Sequence, residues 1–337
     1  MLFAGDLLPH GPVNRIAAEF GQASGEAYDY DPMLASMKPY ISSADLAICH
    51  METPVAPNQS QITTYPVFGA PVGLVKSIRD VGYDGCSTAS NHSLDKGKGG
   101  ILATVAAFNA QGLGHAGTYT SAQDATRIQM YAVKGVKVAH LSYAYGFNGI
   151  PIPADAPYVV HQIDVKRILA EAKRAREAGA QFVVLSLHWG TEYQPAPNAQ
   201  QLTISPELTA SPDIDLIVGH HVHVVQPIVS EHGKFVVFGM GNQLSNQHED
   251  LQRDGLTVLV TVNRQTDGRY RATAVRCIPT FVDRPSLHVY PVKSALDDPA
   301  TPPGLRSQLQ ASFTRTMAAV DSRGVTPGVT AYEPARP

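Results

Sequence analysis

The stretch Asp215-Leu216-Ile217-Val218-Gly219-His220-His221-Val222-His223 runs from an apolar segment into a glycine and then three histidines within four residues. A short apolar run bounded by turn signals suits a strand buried on both faces. Gly219 is expected to let the backbone turn sharply where that strand leaves its sheet. Open α/β sheets bind ligands beyond the C-terminal ends of their strands, and neutral imidazole is the commonest protein metal ligand. A polar loop of hydrogen-bonded histidines would read the same way here, so the rest of the chain has to separate the two.

Working outward, the same arrangement recurs. Residues 181–187 form a buried-strand run that ends in His188-Trp189-Gly190. Residues 83–89 read as a strand running into Ser90-Asn91-His92-Ser93-Leu94-Asp95. Residues 45–49 lead into His50-Met51-Glu52-Thr53-Pro54, and residues 1–4 into Gly5-Asp6, with His10 just beyond. Alternation along a strand would put His50 and Glu52 on one side of the backbone.

Between these strands lie helical patterns at 71–80, 97–111 and 198–210, and a clearer one after Asp164. That helix has Asp164 as N-cap, an apolar stripe of Val165, Ile168, Leu169, Ala172 and Ala175, and Gly179 as its stop. Strands are also expected at 129–133, 137–143, 224–229 and 234–238, with a hairpin of 256–263 and 270–279 and a polar turn at 239–243. The alternation is that of an α/β fold. A domain over 1–290 is expected, with a C-terminal extension over 291–337 that is partly helical near 305–320 and loose from 326 onward.

Composition narrows the function classes. The 337 residues are 44% hydrophobic and 16% charged with a net charge of −3. This is ordinary for a globular chain with a large core, and it offers no electrostatic case for nucleic acid or an anionic membrane. No run approaches the roughly 18 apolar residues of a membrane span. The chain as it stands reads as cytoplasmic, or as exported if a leader has been removed. Cys49, Cys86 and Cys277 have no metal-type spacing and cannot all be paired. Cys49 and Cys86 are expected as small buried hydrophobes.

Five strand ends thus each deliver metal-competent or proton-transfer side chains: Asp6/His10, His50/Glu52, Asn91/His92, His188 and His221/His223. Their shared position argues for one site. Oxygen and imidazole ligands without thiolate suit one or two divalent ions, Mn, Fe, Zn, Mg or Ca. His115, His140, His161, His232, His248 and His288 have no motif around them and are expected to be ordinary satisfied or exposed histidines. Trp189 and Tyr193 could shape an apolar pocket with the 143–157 loop, although packing is the commoner role for such aromatics.

Gly5-Asp6, Met51-Glu52-Thr53-Pro54, Ser90 through Asp95, His188-Trp189-Gly190 and Gly219 through His223 together resemble the CapA-like (poly-γ-glutamate capsule biosynthesis) family of the calcineurin-like metallophosphatase superfamily. The resemblance covers most of residues 2–245 and implies a four-layer α/β/β/α sandwich with a metal centre at one edge of its sheets. It implies Asp6 as a first-metal ligand, Glu52 near the bridging acid, and Asn91 and His188 at the second metal. It further implies His221 and His223 as the terminal His-x-His, and His92 as general acid, with Asp95 to orient it. Leu8 stands where the superfamily's Asp-x-His pattern has histidine, and His10 follows two residues later. His50 replaces the usual asparagine, and Glu52 is one methylene longer than the usual aspartate. His220 is expected behind the ligands rather than among them.

The function that follows is metal-dependent hydrolysis of a small phosphoester or of a peptide or γ-glutamyl-polymer amide. His92 would serve as the acid, with Asp6 and Glu52 at the reacting centre. Two alternatives use the same residues: epimerisation at a peptide Cα, as in a CapA-like branch associated with lasso-peptide precursors, and a non-catalytic role in capsule-polymer assembly.

Overall fold

Alternate residues of the same strands face different hydrophobic cores, and this sets the architecture. Phe3 and Ile48 pack into one core while their neighbours Leu2, Ala4, Ala47 and Cys49 pack into another. Val184, Leu216 and Val218 join the first of these cores, whereas Val183, Leu185 and Ile217 turn to a third. Side chains alternate across a strand with period two, so a chain with apolar residues at consecutive positions must be covered on both faces. A computed structural model describes residues 1–333, so the expectation of looseness for 334–337 lies outside the described residues.

The strands in chain order are β1 (Leu2–Leu7), β2 (Ala47–Met51), β3 (Gly85–Ser87), β4 (Gly114–Ala116), β5 (Gln129–Val133), β6 (Val136–Ala144), β7 (Phe182–His188), β8 (Leu216–His220), β9 (Ile228–Glu231), β10 (Lys234–Val237), β11 (Asn242–Leu244), β12 (Asp254–Arg264), β13 (Tyr270–Val282), β14 (Val289–Pro291) and β15 (Val329–Ala331). The first sheet runs β14-β13-β12-β1-β2-β3-β4, with β11 added on β1 and β15 on β13. The second runs β5-β6-β7-β8-β10-β9. The sheets face each other across a core that includes Phe3, Ile48, Val258, Val260, Val184, Val218 and Val237. Helices Gly11–Ser24, Gly73–Asp80 and Gly97–Ala110 cover the outer face of the first sheet, with Val13, Ala17, Leu74, Ile78 and Phe108 in its core. Helices Val165–Glu177 and Ala199–Ala210 cover the second through Ile168, Ala172, Ala175 and Leu208. The fold is the four-layer α/β/β/α sandwich expected from the sequence.

Several local expectations are corrected. Gly219 lies inside β8 and does not make a turn. A Cβ there would collide with the Phe238 carbonyl, so glycine is required by the close passage of that backbone. The turn is made instead by His221 at φ 90° and His223 at φ 56°. The helix Gly11–Ser24, with Pro12 in its first turn, has no counterpart in the sequence reading. The polar turn expected at 239–243 passes directly into β11, which pairs Asn242 with Asp6. Residues 329–331, expected to be loose, form β15 beside β13 because Val329 is drawn into the inter-sheet core. Cys49 and Cys86 are buried as expected but are joined as a disulfide, because they stand opposite each other in the β2–β3 register. Among the described residues, no helix is long and apolar enough to cross a membrane.

Candidate metal centre

The parallel strands β1, β2 and β3 of one sheet and β7 and β8 of the other end on the same side, and the side chains beyond their tips meet. Asp6 is wholly buried at the end of β1. Its Oδ1 lies 3.2 Å from His220 Nδ1, and its Oδ2 accepts the His221 backbone N–H at 3.1 Å. His223 Nδ1 is 3.4 Å from the same Oδ2. Burial opposes ionisation, but hydrogen bonds from His220 and His223 hold Asp6 well below the usual carboxylate range.

Two groups of ligand atoms result. Asp6, His50 and His220 form one and Glu52, His221 and His223 the other, with atoms in each group within 4.8 Å of one another. Asp6 and Glu52 also flank His223, Glu52 Oε1 standing 3.6 Å from its Nε2, so the two groups abut. His188 Nε2 lies 4.0 Å from Glu52 Oε1 and accordingly borders both. Of the sequence-predicted residues, Asp6, His50, Glu52, His221 and His223 are therefore brought together, with Asn91 and His188 adjoining.

A relay fixes the proton positions on the second-sheet side. Asn91 Oδ1 faces His188 Nε2 at 2.8 Å, and His188 Nδ1 faces His50 Nε2 at 2.9 Å. His50 Nδ1 then meets Ser87 Oγ at 2.8 Å. An amide oxygen can only accept, so His188 Nε2 donates and its Nδ1 accepts. His50 Nε2 must then donate, and its Nδ1 accepts the Ser87 hydroxyl. Burial holds both imidazoles well below their ordinary value, which keeps them neutral as this relay requires.

Whether these residues suit a divalent ion can be judged from unsatisfied atoms. Both oxygens of the fully buried Glu52, and Nδ1 of the buried His221, have no hydrogen-bond partner. Buried polar atoms are nearly always hydrogen-bonded, and leaving one without such a partner costs about 1–3 kcal/mol. Burial disfavours the charged forms here, pushing Glu52 up to about 7 and His221 down to about 3. Burial also disfavours charge on His223, but Glu52 and Asp6 outweigh it and raise that imidazole to about 9. A cation ligated by Glu52, His221 and His223 would satisfy every one of these atoms. The donor set fits one.

The centre opens into a cleft of about 750 Å³. His92 stands in its wall with Nδ1 2.7 Å from Asp95 Oδ2 and its ring edge-on to Phe68. His10 lines the same cleft, but its Nδ1 accepts the Asn246 N–H at 3.2 Å, and it belongs to neither group of ligand atoms. Burial lowers His10 to about 4. Trp189 is core packing, its Nε1–H donated to the Phe238 carbonyl at 2.9 Å, whereas Tyr193 lines the cleft.

Three contributors, Asn242, Ser87 and Asn148, are absent from the sequence reading, and a fourth is placed differently from its expectation. His220, expected behind the ligands, sits in the first group and stacks on His50 with ring centres 4.0 Å apart. Asn242 presents Oδ1 to His223 Nδ1 at 3.0 Å, leaving Nε2 to face Glu52. Ser87 ends the relay, and Asn148 contacts Asn91 from the opposite sheet. Asn242 had a signal in its flanking glycines, which permit close backbone approach. Ser87 and Asn148 had none.

The family described as bacterial capsule synthesis protein PGA_cap matches residues 1–247, and the chain belongs to it. The PGA biosynthesis protein CapA of Bacillus subtilis is 27% identical over 300 residues, covering 85% of this chain and 74% of that one. The capsule biosynthesis protein CapA of Bacillus anthracis is 25% identical over 304 residues, covering 88% and 70%. Among solved structures, a Staphylococcus aureus protein described as a 5′-nucleotidase, in complex with α-ketoglutarate, aligns with a TM-score of 0.50 at 13% identity. That alignment covers 92% of this chain and 58% of the other, so this chain spans less than two thirds of that structure. The calcineurin-like phosphoesterase YfkN of Bacillus subtilis aligns at 0.49 and 12% identity, covering 94% and 96%. At 13% identity the first of these likenesses is one of fold alone.

Proposed function

We propose that the chain is a metal-dependent hydrolase acting on a phosphoester or on a peptide or γ-glutamyl-type amide. The observation that carries this reading is the fully buried Glu52 with no hydrogen bond to either oxygen, in one of two abutting groups of ligand atoms that meet an open cleft at His223. Asp6 and His220 on one side, and Glu52, His221 and His223 on the other, would hold one or two divalent ions, with Asn91 and His188 adjoining and His50, whose two nitrogens are taken by Ser87 and His188, positioning them. Bound there, a divalent ion supplies a Lewis acid that polarises a phosphoryl or carbonyl oxygen and acidifies water.

The protein's own residues supply the rest. Asp95 holds His92 Nδ1, which leaves Nε2 as the atom free to give a proton to a leaving group. Asp6 and Asn242 fix the His223 ring through Nδ1, and the buried relay fixes His188 through His50. Tyr145 packs against His221 with ring centres 4.5 Å apart and limits its rotation. Because the named relatives are PGA and capsule biosynthesis proteins, a γ-glutamyl amide is the first polymer linkage to offer.

The test is hydrolysis of a chromogenic phosphodiester and of a γ-glutamyl anilide with added Mn²⁺, Zn²⁺ or Ca²⁺. Turnover that needs the ion and falls at least ~100-fold in His223→Ala supports the reading. Failure of the chain to bind any of the three ions by calorimetry would sink it.

A further inference from the structure

Asn148 reaches the centre from the loop that follows β6. Its backbone is in the left-handed region at φ 50°, which asparagine tolerates better than most residues, and Gly149 follows at φ 76°. Non-glycine residues held there tend to cluster at functional sites, and Asn148 lines the cleft.

The neighbours decide which way its amide faces. Asn91 turns Oδ1 to His188, so its Nδ2 donates to Asn148 Oδ1 at 3.2 Å. That leaves Asn148 Nδ2 on the other side, 3.4 Å from His92 Nδ1. His92 Nδ1 cannot accept from it. The Asp95 Oδ2 that it meets at 2.7 Å already accepts the Phe68 N–H at 2.6 Å, so His92 Nδ1 is the donor in that pair. Asn148 therefore holds an oriented N–H₂ beside His92 with no acceptor there to take it. The orientation does not depend on an ion. Were Asn91 Oδ1 and His188 Nε2 to turn to a cation, Asn91 Nδ2 would still be the donor to Asn148 Oδ1.

We propose that Asn148 donates a hydrogen bond to the phosphoryl or carbonyl oxygen of the group under attack, next to the His92 proton donor. The proposal rests on the hydrolase reading of the same site and deepens it. A fixed donor aimed where negative charge develops is among the larger contributions to catalysis, ~10²–10³-fold for one donor.

The experiment titrates inorganic phosphate, by calorimetry, into the Mn²⁺-saturated full chain and into Asn148→Gly and Asn148→Asp. Both replacements tolerate the left-handed backbone and neither can donate. The expected result is phosphate binding weakened at least ~10-fold in both, with Mn²⁺ affinity of Asn148→Gly within ~3-fold of the parent. Parent-like phosphate binding in either variant, or none in the parent, overturns the proposal, since a loss confined to Asn148→Asp would report only charge repulsion. Turnover of the chromogenic diester and of the γ-glutamyl anilide is measured in parallel. Phosphate binding that depends on Asn148 without any turnover defeats the hydrolase reading alone. Turnover with phosphate binding indifferent to Asn148 defeats this proposal alone.

Discussion

His50 Nε2 and His188 Nδ1 lie 2.9 Å apart, an imidazole-to-imidazole hydrogen bond that joins the two sheets beneath the candidate metal centre. Through it, Ser87 on the first sheet sets the orientation of His188 on the second. Residues that orient a metal ligand without touching the ion typically control ~10–100-fold of its affinity. His50→Ala is therefore expected to weaken Mn²⁺ binding by about that factor, read by calorimetry. Unchanged affinity would show that His188 is held without the relay.

Glu52 is buried with no hydrogen bond to either oxygen and only His223 Nε2, at 3.6 Å, as a nearby cation, so its carboxylate burdens the ion-free fold and is left open to an ion. Glu52→Gln removes that carboxylate. The ion-free variant should melt at or above the parent temperature, and its gain in Tm on adding Mn²⁺ should largely vanish, since a ligand stabilises only in proportion to RT ln(1 + [L]/Kd). Differential scanning calorimetry with and without Mn²⁺ reads both effects. A Glu52→Gln protein that gains as much as the parent would remove Glu52 from the ligand set.

Metal affinity should rise with pH. Burial holds a proton on Glu52 up to about 7, and His223, despite burial, is raised to about 9 by Glu52 and Asp6. Ligation requires both to be deprotonated, so an incoming ion must displace protons. Affinity is expected to climb from pH 6 to pH 9, with net proton release on binding shrinking over the same range. Calorimetry in buffers of different ionisation enthalpy measures the released protons, and a flat profile would contradict the assignment.

Glu171 gives a separate pH signature, away from the metal centre. It is buried on helix Val165–Glu177, accepts the Tyr143 hydroxyl, and is pushed by burial from 4.5 up to about 7, with Arg174 opposing. The folded chain thus keeps a proton that the unfolded chain has released. Its contribution is fully present below about pH 4.5 and is lost as pH rises through about 7. Glu171→Gln should flatten that part of the stability profile and stabilise the protein by ~1–3 kcal/mol at pH 8. Urea denaturation at pH 5 and 8 checks this, and an equal pH dependence in both proteins would refute it.

The C-terminal helix Pro303–Val320 is tied to β12 by Arg315, which grips buried Asp254 with two hydrogen bonds of 2.6 and 2.9 Å. Removing one partner leaves a buried carboxylate uncompensated. Arg315→Ala is expected to cost ~2–4 kcal/mol by chemical denaturation, whereas Arg315→Ala with Asp254→Asn should recover part of that loss.

Much of this molecule was legible locally. An apolar run followed by a polar or glycine-marked turn says that a buried strand ends there, and side chains just past such ends must lie along one edge of a sheet. Asp6, His50, Glu52, Asn91, His92, His188, His221 and His223 could all be picked out that way, and consecutive apolar positions in 215–218 implied a strand covered on both faces. Which atom meets which was decided elsewhere. The pairing of Asp6 with Asn242, of Cys49 with Cys86 and of His50 with Ser87 follows from register between strands far apart in sequence. The stacking of His220 on His50, and the meeting of Asn148 with Asn91, follow from how closely the two sheets approach. Gly219 shows the limit most plainly: its type could be read from the chain, but its reason is the Phe238 carbonyl of the neighbouring segment. Strand identity and edge position come from local patterning of apolar side chains. Ligand pairing, proton direction and the orientation of a donor amide come from contacts between segments that only tertiary packing brings within hydrogen-bond range.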